Sequence, residues 1–195
     1  MKQTKIEPKF VKKNNPRIGL ITLASDFRIE KDFNNLIYGK NIDLFCNRIK
    51  SYNPLTNESL KKMADDIPEV TENILPDQKL DCIAYGCTSG TIASGYESIF
   101  KKINSVKPNT KVTTPVTSAI KALKVLKVNK LSIFTPYTNE INKSVINYFK
   151  KENIQVTELS YLDIASDLDI GKVDPDHLIH VLSKIDLSNS DALFV

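Results

Sequence analysis

The sequence predicts an α/β fold of two pseudosymmetric three-layer α/β/α lobes with mainly parallel sheets, the second lobe truncated. Three observations carry that expectation. Short apolar runs such as Ile18-Gly19-Leu20-Ile21 and Cys82-Ile83-Ala84-Tyr85 each open into a polar loop, as buried parallel strands do. Between them lie segments with apolar residues at helical spacing, so strand and helix alternate, and right-handed crossovers over a parallel sheet follow. A weak internal repeat adds the two lobes: Asp81-Cys82-Ile83-Ala84 resembles Asp191-Ala192-Leu193-Phe194, and Ile18 to Cys82 spans 64 residues where Leu131 to Ala192 spans 61.

Residues 1–15 read as a flexible basic tail, 16–114 as the first lobe and 115–195 as the second. Pro16 introduces a strand over Arg17 to Ala24, whose carboxyl end carries Asp26, Arg28 and Glu30. Phe33 to Leu36 gives no clear type, and Asp43 to Lys50 suits another strand. Thr56 and Ser59 are placed to cap a helix from about Glu58 to Ile74, with a break or kink at Pro68. Leu80 to Tyr85 is the next strand and Ile92 to Ile103 a helix after it. Lys111 to Thr114 reads as a short strand, and Val116 to Leu126 as an amphipathic helix with Ile120, Leu123, Val125 and Leu126 on or near one face. Leu131 to Thr135 is a strand, Glu140 to Lys151 a helix with Ile141, Val145, Ile146 and Phe149 inward, Ile154 to Leu159 a strand, and Asp174 to Ile185 a helix. Ala192 to Val195 begins a core strand. The second lobe is therefore expected to be incomplete, one or two residues short of its counterpart of Gly86-Cys87.

Composition sets bounds. With 195 residues, 41% hydrophobic and 26% charged, a substantial core is affordable. The net charge of +4 lies largely on Lys2, Lys5, Lys9, Lys12 and Lys13, so no nucleic-acid stripe is expected. No run approaches membrane-spanning length. Met1 to Lys13 is charged and broken by Pro8, and three cysteines stand without a secretory pattern. That points to a reducing, cytoplasmic compartment.

Chemistry concentrates at Tyr85-Gly86-Cys87-Thr88-Ser89-Gly90-Thr91. Thr88 or Ser89 is a natural N-cap, so free N–H groups should gather around Cys87 and lower its thiol pKa. In open α/β sheets such a loop, at the carboxyl end of a strand, is where ligands bind. The plain alternative is that Cys87 is small apolar filling, a reading that suits Cys82 better. A phosphatase-type loop needs an Arg where Ala93 stands, and the residue midway between Gly86 and Gly90 is Thr88, with no histidine partner in evidence. His177 and His180 lack placed acidic or cysteine partners, and Asp163, Asp167 and Asp169 lack the glycine and glutamate of a calcium loop. No metal site is expected.

The Asp81–Thr91 motif, with Leu131-Ser132-Ile133-Phe134-Thr135-Pro136-Tyr137 and Ile18 through Asp26 to Glu30, resembles the Asp/Glu racemase superfamily. Within it the chain is most similar to the branch holding maleate cis-trans isomerase, arylmalonate decarboxylase and the ectoine-utilisation protein A. The resemblance implies two α/β lobes, no metal or organic cofactor, and a small carboxylate substrate flanked by two cysteines. It places Cys87 as catalytic base or nucleophile and Tyr137 as the second-lobe tyrosine contacting the substrate carboxylate. Thr88 and Ser89 match the carboxylate-holding loop, with Thr135 and Pro136 beside it. Asp26 stands where maleate isomerases carry asparagine, which puts the maleate assignment in question. The second cysteine would fall beyond Val195.

Proton abstraction next to a carboxylate, return of a proton on the other face, thiolate addition to a cis alkene and decarboxylation all need one shared feature. That feature is a set of donors for the developing enediolate, for which Thr88, Ser89 and Tyr137 are candidates. Tyr137 as packing and Asp26 as a helix cap are the plain alternatives. A carboxylate-binding protein without catalysis and a redox-sensing thiol protein are the competing functions. The expected partners are a small carboxylate and a second copy in a homodimer, not nucleic acid or a membrane.

Overall fold

The computed structural model describes residues 1–11 and 15–195. Lys12 and Lys13, counted above with the basic tail, lie outside the described residues, and residues 1–11 are exposed without regular secondary structure. The strands are β1 (Arg17–Leu23), β2 (Asp43–Ile49), β3 (Cys82–Tyr85), β4 (Lys111–Thr113), β5 (Lys130–Thr135), β6 (Gln155–Tyr161) and β7 (Ala192–Phe194). The helices are α1 (Ile29–Ile37), α2 (Asn57–Met63), α3 (Ile67–Glu72), α4 (Thr88–Ser94), α5 (Tyr96–Val106), α6 (Pro115–Val125), α7 (Asn139–Lys151), α8 (Asp167–Gly171) and α9 (Pro175–Leu182).

One sheet has the order β2-β1-β3-β4 and the other β6-β5-β7, every pairing parallel. The mixed α/β class with parallel sheets is as expected. The internal repeat has a physical basis in these sheets, because its matched positions are cross-strand partners: Ile18 pairs with Cys82 and Leu131 with Ala192. Each repeat also uses its aspartate alike. The Asp81 carboxylate accepts from Arg17 N at 2.7 Å, and Asp191 accepts from Asn129 N and Lys130 N, each at 2.9 Å. In both sheets an acid at the head of one strand ties down the unpaired amides at the head of its neighbour.

A continuous apolar core runs from Ile21 and Ile83 in the first sheet, through Ile99, Val116 and Val145, to Leu131 and Ile133 in the second. Phe149 of α7 is fully buried and meets Phe194 of β7 edge-on at 5.1 Å between ring centres.

Several expectations need correction. The helix expected over Ile92 to Ile103 is two helices, α4 and α5, separated at Gly95, where φ is +79°. The helix expected from Glu58 to Ile74 is α2, a 3₁₀ turn and α3. Thr56 and Ser59 form a capping box at its start, and Pro68 sits in the first turn of α3, where a missing N–H costs nothing. Val125 and Leu126 are 81% and 70% exposed, so the buried face of α6 is Val116, Ile120 and Leu123. Phe33 to Leu36, of no clear type in the sequence, lies within α1.

Candidate active site

At the carboxyl ends of β1 and β3 the chain opens a cleft of about 510 Å³ whose walls include Asp26, Arg28, Cys87, Thr88, Ser89, Tyr137 and Asp167. This is the ligand side of a parallel sheet. Four stretches far apart in sequence meet there: the loop after β1, the β3–α4 turn, and the loops after β5 and β6.

Cys87 is itself the N-cap of α4, in place of the expected Thr88 or Ser89. Its sulfur accepts from Gly90 N at 3.2 Å and lies 3.8 Å from Ser89 Oγ. Its carbonyl accepts from the Thr91 hydroxyl at 2.6 Å. Because Cys87 serves as cap, the amides of Thr88 and Ser89 begin the helix without intrahelical partners, and both residues line the cleft. With seven residues in α4, these local N–H groups, rather than a long macrodipole, are what the turn presents to an anion.

The Cys87 side chain lines the cleft yet the residue is only 4% exposed. Burial pushes its thiol up to about 11, helped by the nearby Asp167 carboxylate, while Gly90 N–H and the Ser89 and Tyr85 hydroxyls pull the other way. The lowered pKa expected from a helix start is therefore overturned: desolvation of the charged form outweighs the donors.

Tyr137 lines the same cleft. Burial, then the neighbouring sulfur of Cys87, raises its phenol, and the Ser89 and Thr88 hydroxyls are the partners that favour its anion. Thr135 and Pro136, expected beside substrate, are not on the cleft wall. They place the tyrosine instead. Thr135 Oγ1 accepts from Tyr137 N at 3.3 Å and donates to Asn142 Oδ1 at 2.6 Å, while Asn142 Nδ2 donates to Tyr137 O at 3.0 Å. Asn142 is fully buried and clamps the turn from α7.

Asp26 does both things considered for it. Its Oδ1 accepts from Arg28 N at 2.7 Å and Ile29 N at 3.0 Å at the start of α1, and the residue faces the cleft. Arg48 braces this loop, donating to the carbonyls of Leu23 and Asp26 and pairing with Glu30 at 2.7 Å.

Asp167 is the residue sequence reasoning missed. Weighed only as part of a calcium-like run, it opens α8 and lines the cleft. Its carboxyl is pushed up to about 6 by burial and then by the Asp26 charge. Its backbone is strapped to the first sheet's loops, since Leu55 N donates to Ala165 O at 2.9 Å and Asp167 N to Asn53 Oδ1 at 3.4 Å. The available signal was its place just past β6, on the ligand side of the second sheet. His177 and His180 are exposed on α9, and among the described residues no group of three metal-ligating side chains converges.

The family model described as arylmalonate decarboxylase matches residues 35–195. The chain belongs to the arylmalonate decarboxylase family. This agrees with the resemblance to that branch of the Asp/Glu racemase superfamily. The family member is 26% identical over 191 residues to a maleate isomerase of Geobacillus stearothermophilus, an alignment covering 91% of this chain and 75% of that protein. It is 29% identical over 129 residues to the maleate isomerase of Alcaligenes faecalis, covering 62% of this chain and 51% of the relative. Among solved structures, the maleate isomerase Iso of Pseudomonas putida S16 superposes with a TM-score of 0.81 at 21% identity, covering 91% of this chain and 76% of that one. A Nocardia farcinica maleate cis-trans isomerase variant with a covalently bound succinylcysteine intermediate gives 0.80 at 19% identity, with the same coverage of each chain. These likenesses establish the fold. No helix among the described residues is long and apolar enough to cross a membrane.

Proposed function

We propose that the chain is a cofactor-independent isomerase or racemase of a small carboxylate, working through the sulfur of Cys87. The observation that carries this is the meeting of Cys87, Thr88, Ser89 and Tyr137 in one cleft. The Thr88 and Ser89 amides and hydroxyls, with the Tyr137 phenol, would hold the substrate carboxylate. They would also stabilise the enediolate that forms when Cys87 thiolate takes the neighbouring C–H proton and the electron pair moves onto the carboxylate. A solvent proton returned on the opposite face, with loss to solvent of the proton taken by Cys87, would complete racemisation. Decarboxylation would pass through the same enediolate. Residues 16–114 and 115–195 would serve as the two lobes closing on the substrate.

The acids lining the cleft bear on the substrate class. Asp26 and Asp167 both face the cleft, with Asp32 and Arg28 near them. A dicarboxylate would press its second carboxylate toward two acids, whereas the ammonium of an amino acid would be welcomed there. An amino-acid-type carboxylate is thus the favoured substrate.

A second reading is supported by the maleate isomerase relatives. In it Cys87 thiolate adds to one alkene carbon, the π electrons pass to the carboxylate as an enediolate, the new single bond rotates, and elimination expels the thiolate. A redox sensor is disfavoured, because sensor thiols are exposed and low in pKa and Cys87 is neither.

Exchange of Cα–H for deuterium in D₂O across a panel of amino acids, followed by NMR beside a maleate-to-fumarate assay, tests both readings. Exchange that vanishes in Cys87→Ala supports the first. Conversion of maleate without exchange supports the second. Turnover that survives Cys87→Ala would remove both.

A further inference from the structure

We infer that Tyr85 is a positioning residue whose phenol donates a hydrogen bond to the sulfur of Cys87 and holds it as a thiolate. The inference rests on Cys87 being the reactive group. Tyr85 ends β3, two residues before Cys87, and is 1% exposed. Its hydroxyl finds no hydrogen-bond partner among the described residues. A buried phenol without a partner is costly, and phenylalanine would fill the same space without that cost. The hydroxyl therefore needs a reason, and the geometry at Gly90 supplies one. A Cβ built on Gly90 would lie 2.8 Å from Cys87 Sγ and 2.8 Å from Tyr85 Oη, so the two polar atoms crowd the same spot and glycine is what leaves them room.

Two partners already meet this sulfur, Gly90 N–H at 3.2 Å and the Ser89 hydroxyl at 3.8 Å, and the Tyr85 phenol beside them would be a third. A neutral thiol is a weak acceptor, whereas a thiolate rewards every donor aimed at it. The arrangement suits the anion. It would also answer the difficulty posed by burial, which pushes Cys87 to about 11. The other ionisable groups of this site are Tyr137 after β5, Asp167 on α8, and Asp26, Arg28 and Asp32 around the β1–α1 loop. None of them lies inside the β3–α4 turn with the sulfur.

The test is Tyr85→Phe in the full chain, read by site-resolved alkylation with iodoacetamide between pH 6 and 11, with Cys46 and Cys82 as internal references. Below its midpoint, Cys87 of the variant should react about tenfold more slowly than the parent at each pH, equivalent to a midpoint about one pH unit higher. The reference cysteines should be unchanged. Equal or faster Cys87 alkylation in a folded variant overturns the inference and leaves the reading of Cys87 standing. A parent whose Cys87 is not alkylated at any pH up to 11 overturns both. The parent labelled with ¹³Cζ-tyrosine gives a second measurement that does not depend on the variant folding. The Tyr85 resonance should follow the titration of Cys87, and a resonance that stays fixed across it overturns the inference.

Discussion

Asp167 shows how one residue's surroundings become a pH dependence. Its carboxyl sits at about 6 in the folded chain against an ordinary 3.8, through burial and then the Asp26 charge. A raised folded pKa means that the native state holds this proton more tightly than the unfolded chain does. The stability it contributes is therefore fully present below about pH 3.8 and lost as pH rises through about 6. Asp167→Asn cannot ionise and escapes that loss. After allowance for solvent screening at a half-buried site, the variant should exceed the parent by about 1 kcal/mol at pH 8 and lose the advantage by pH 4. Urea unfolding at the two pH values measures this, and an unchanged difference between them would contradict it. Cys87 carries the matching lesson. Its neighbours are polar and close in sequence, so a low pKa was expected, but the burial that reverses it is not written in that short stretch.

At the scale of elements, the strands were the most legible feature. Runs such as Leu131 to Thr135 are buried on both faces and rich in apolar residues, and that leaves a plain mark in sequence. Helix limits were less so. The break between α4 and α5 falls at Gly95, whose positive φ side chains rarely tolerate, although a Cβ there would meet nothing within 4 Å. Gly95→Ala should therefore cost about 1 kcal/mol through backbone strain alone. A denaturant midpoint equal to the parent's would show that the break can relax. The five residues of α8 are too few to show a period. Val125 and Leu126 kept the helical spacing and still face solvent, because spacing says which residues share a face and not how far a neighbour reaches across it.

For the molecule as a whole, the core residues of both sheets form one cluster, and polar straps reinforce it. Ser144 Oγ donates to Asn57 Oδ1 at 3.1 Å and Asn57 Nδ2 to Glu140 at 3.3 Å, tying α7 to α2. Elements sharing one core unfold together. A single thermal transition, coincident by far-ultraviolet circular dichroism and tyrosine fluorescence, is expected, and two separated transitions would show that the sheets are independent.

By itself the sequence determined what depends on neighbours along the chain: the alternation of strand and helix, the repeat whose matched residues prove to be cross-strand partners, and the Cys87 turn with its hydroxyls. Tertiary structure decided what depends on groups brought together from afar. It set Asp167 toward Asp26 across 141 positions of chain, gave Thr135 the task of seating Tyr137, and buried the Cys87 sulfur. Local pattern follows from backbone geometry and solvent exposure, which each short segment carries within itself. The charge state of a site follows from which distant groups exclude water from it, and no short segment records that.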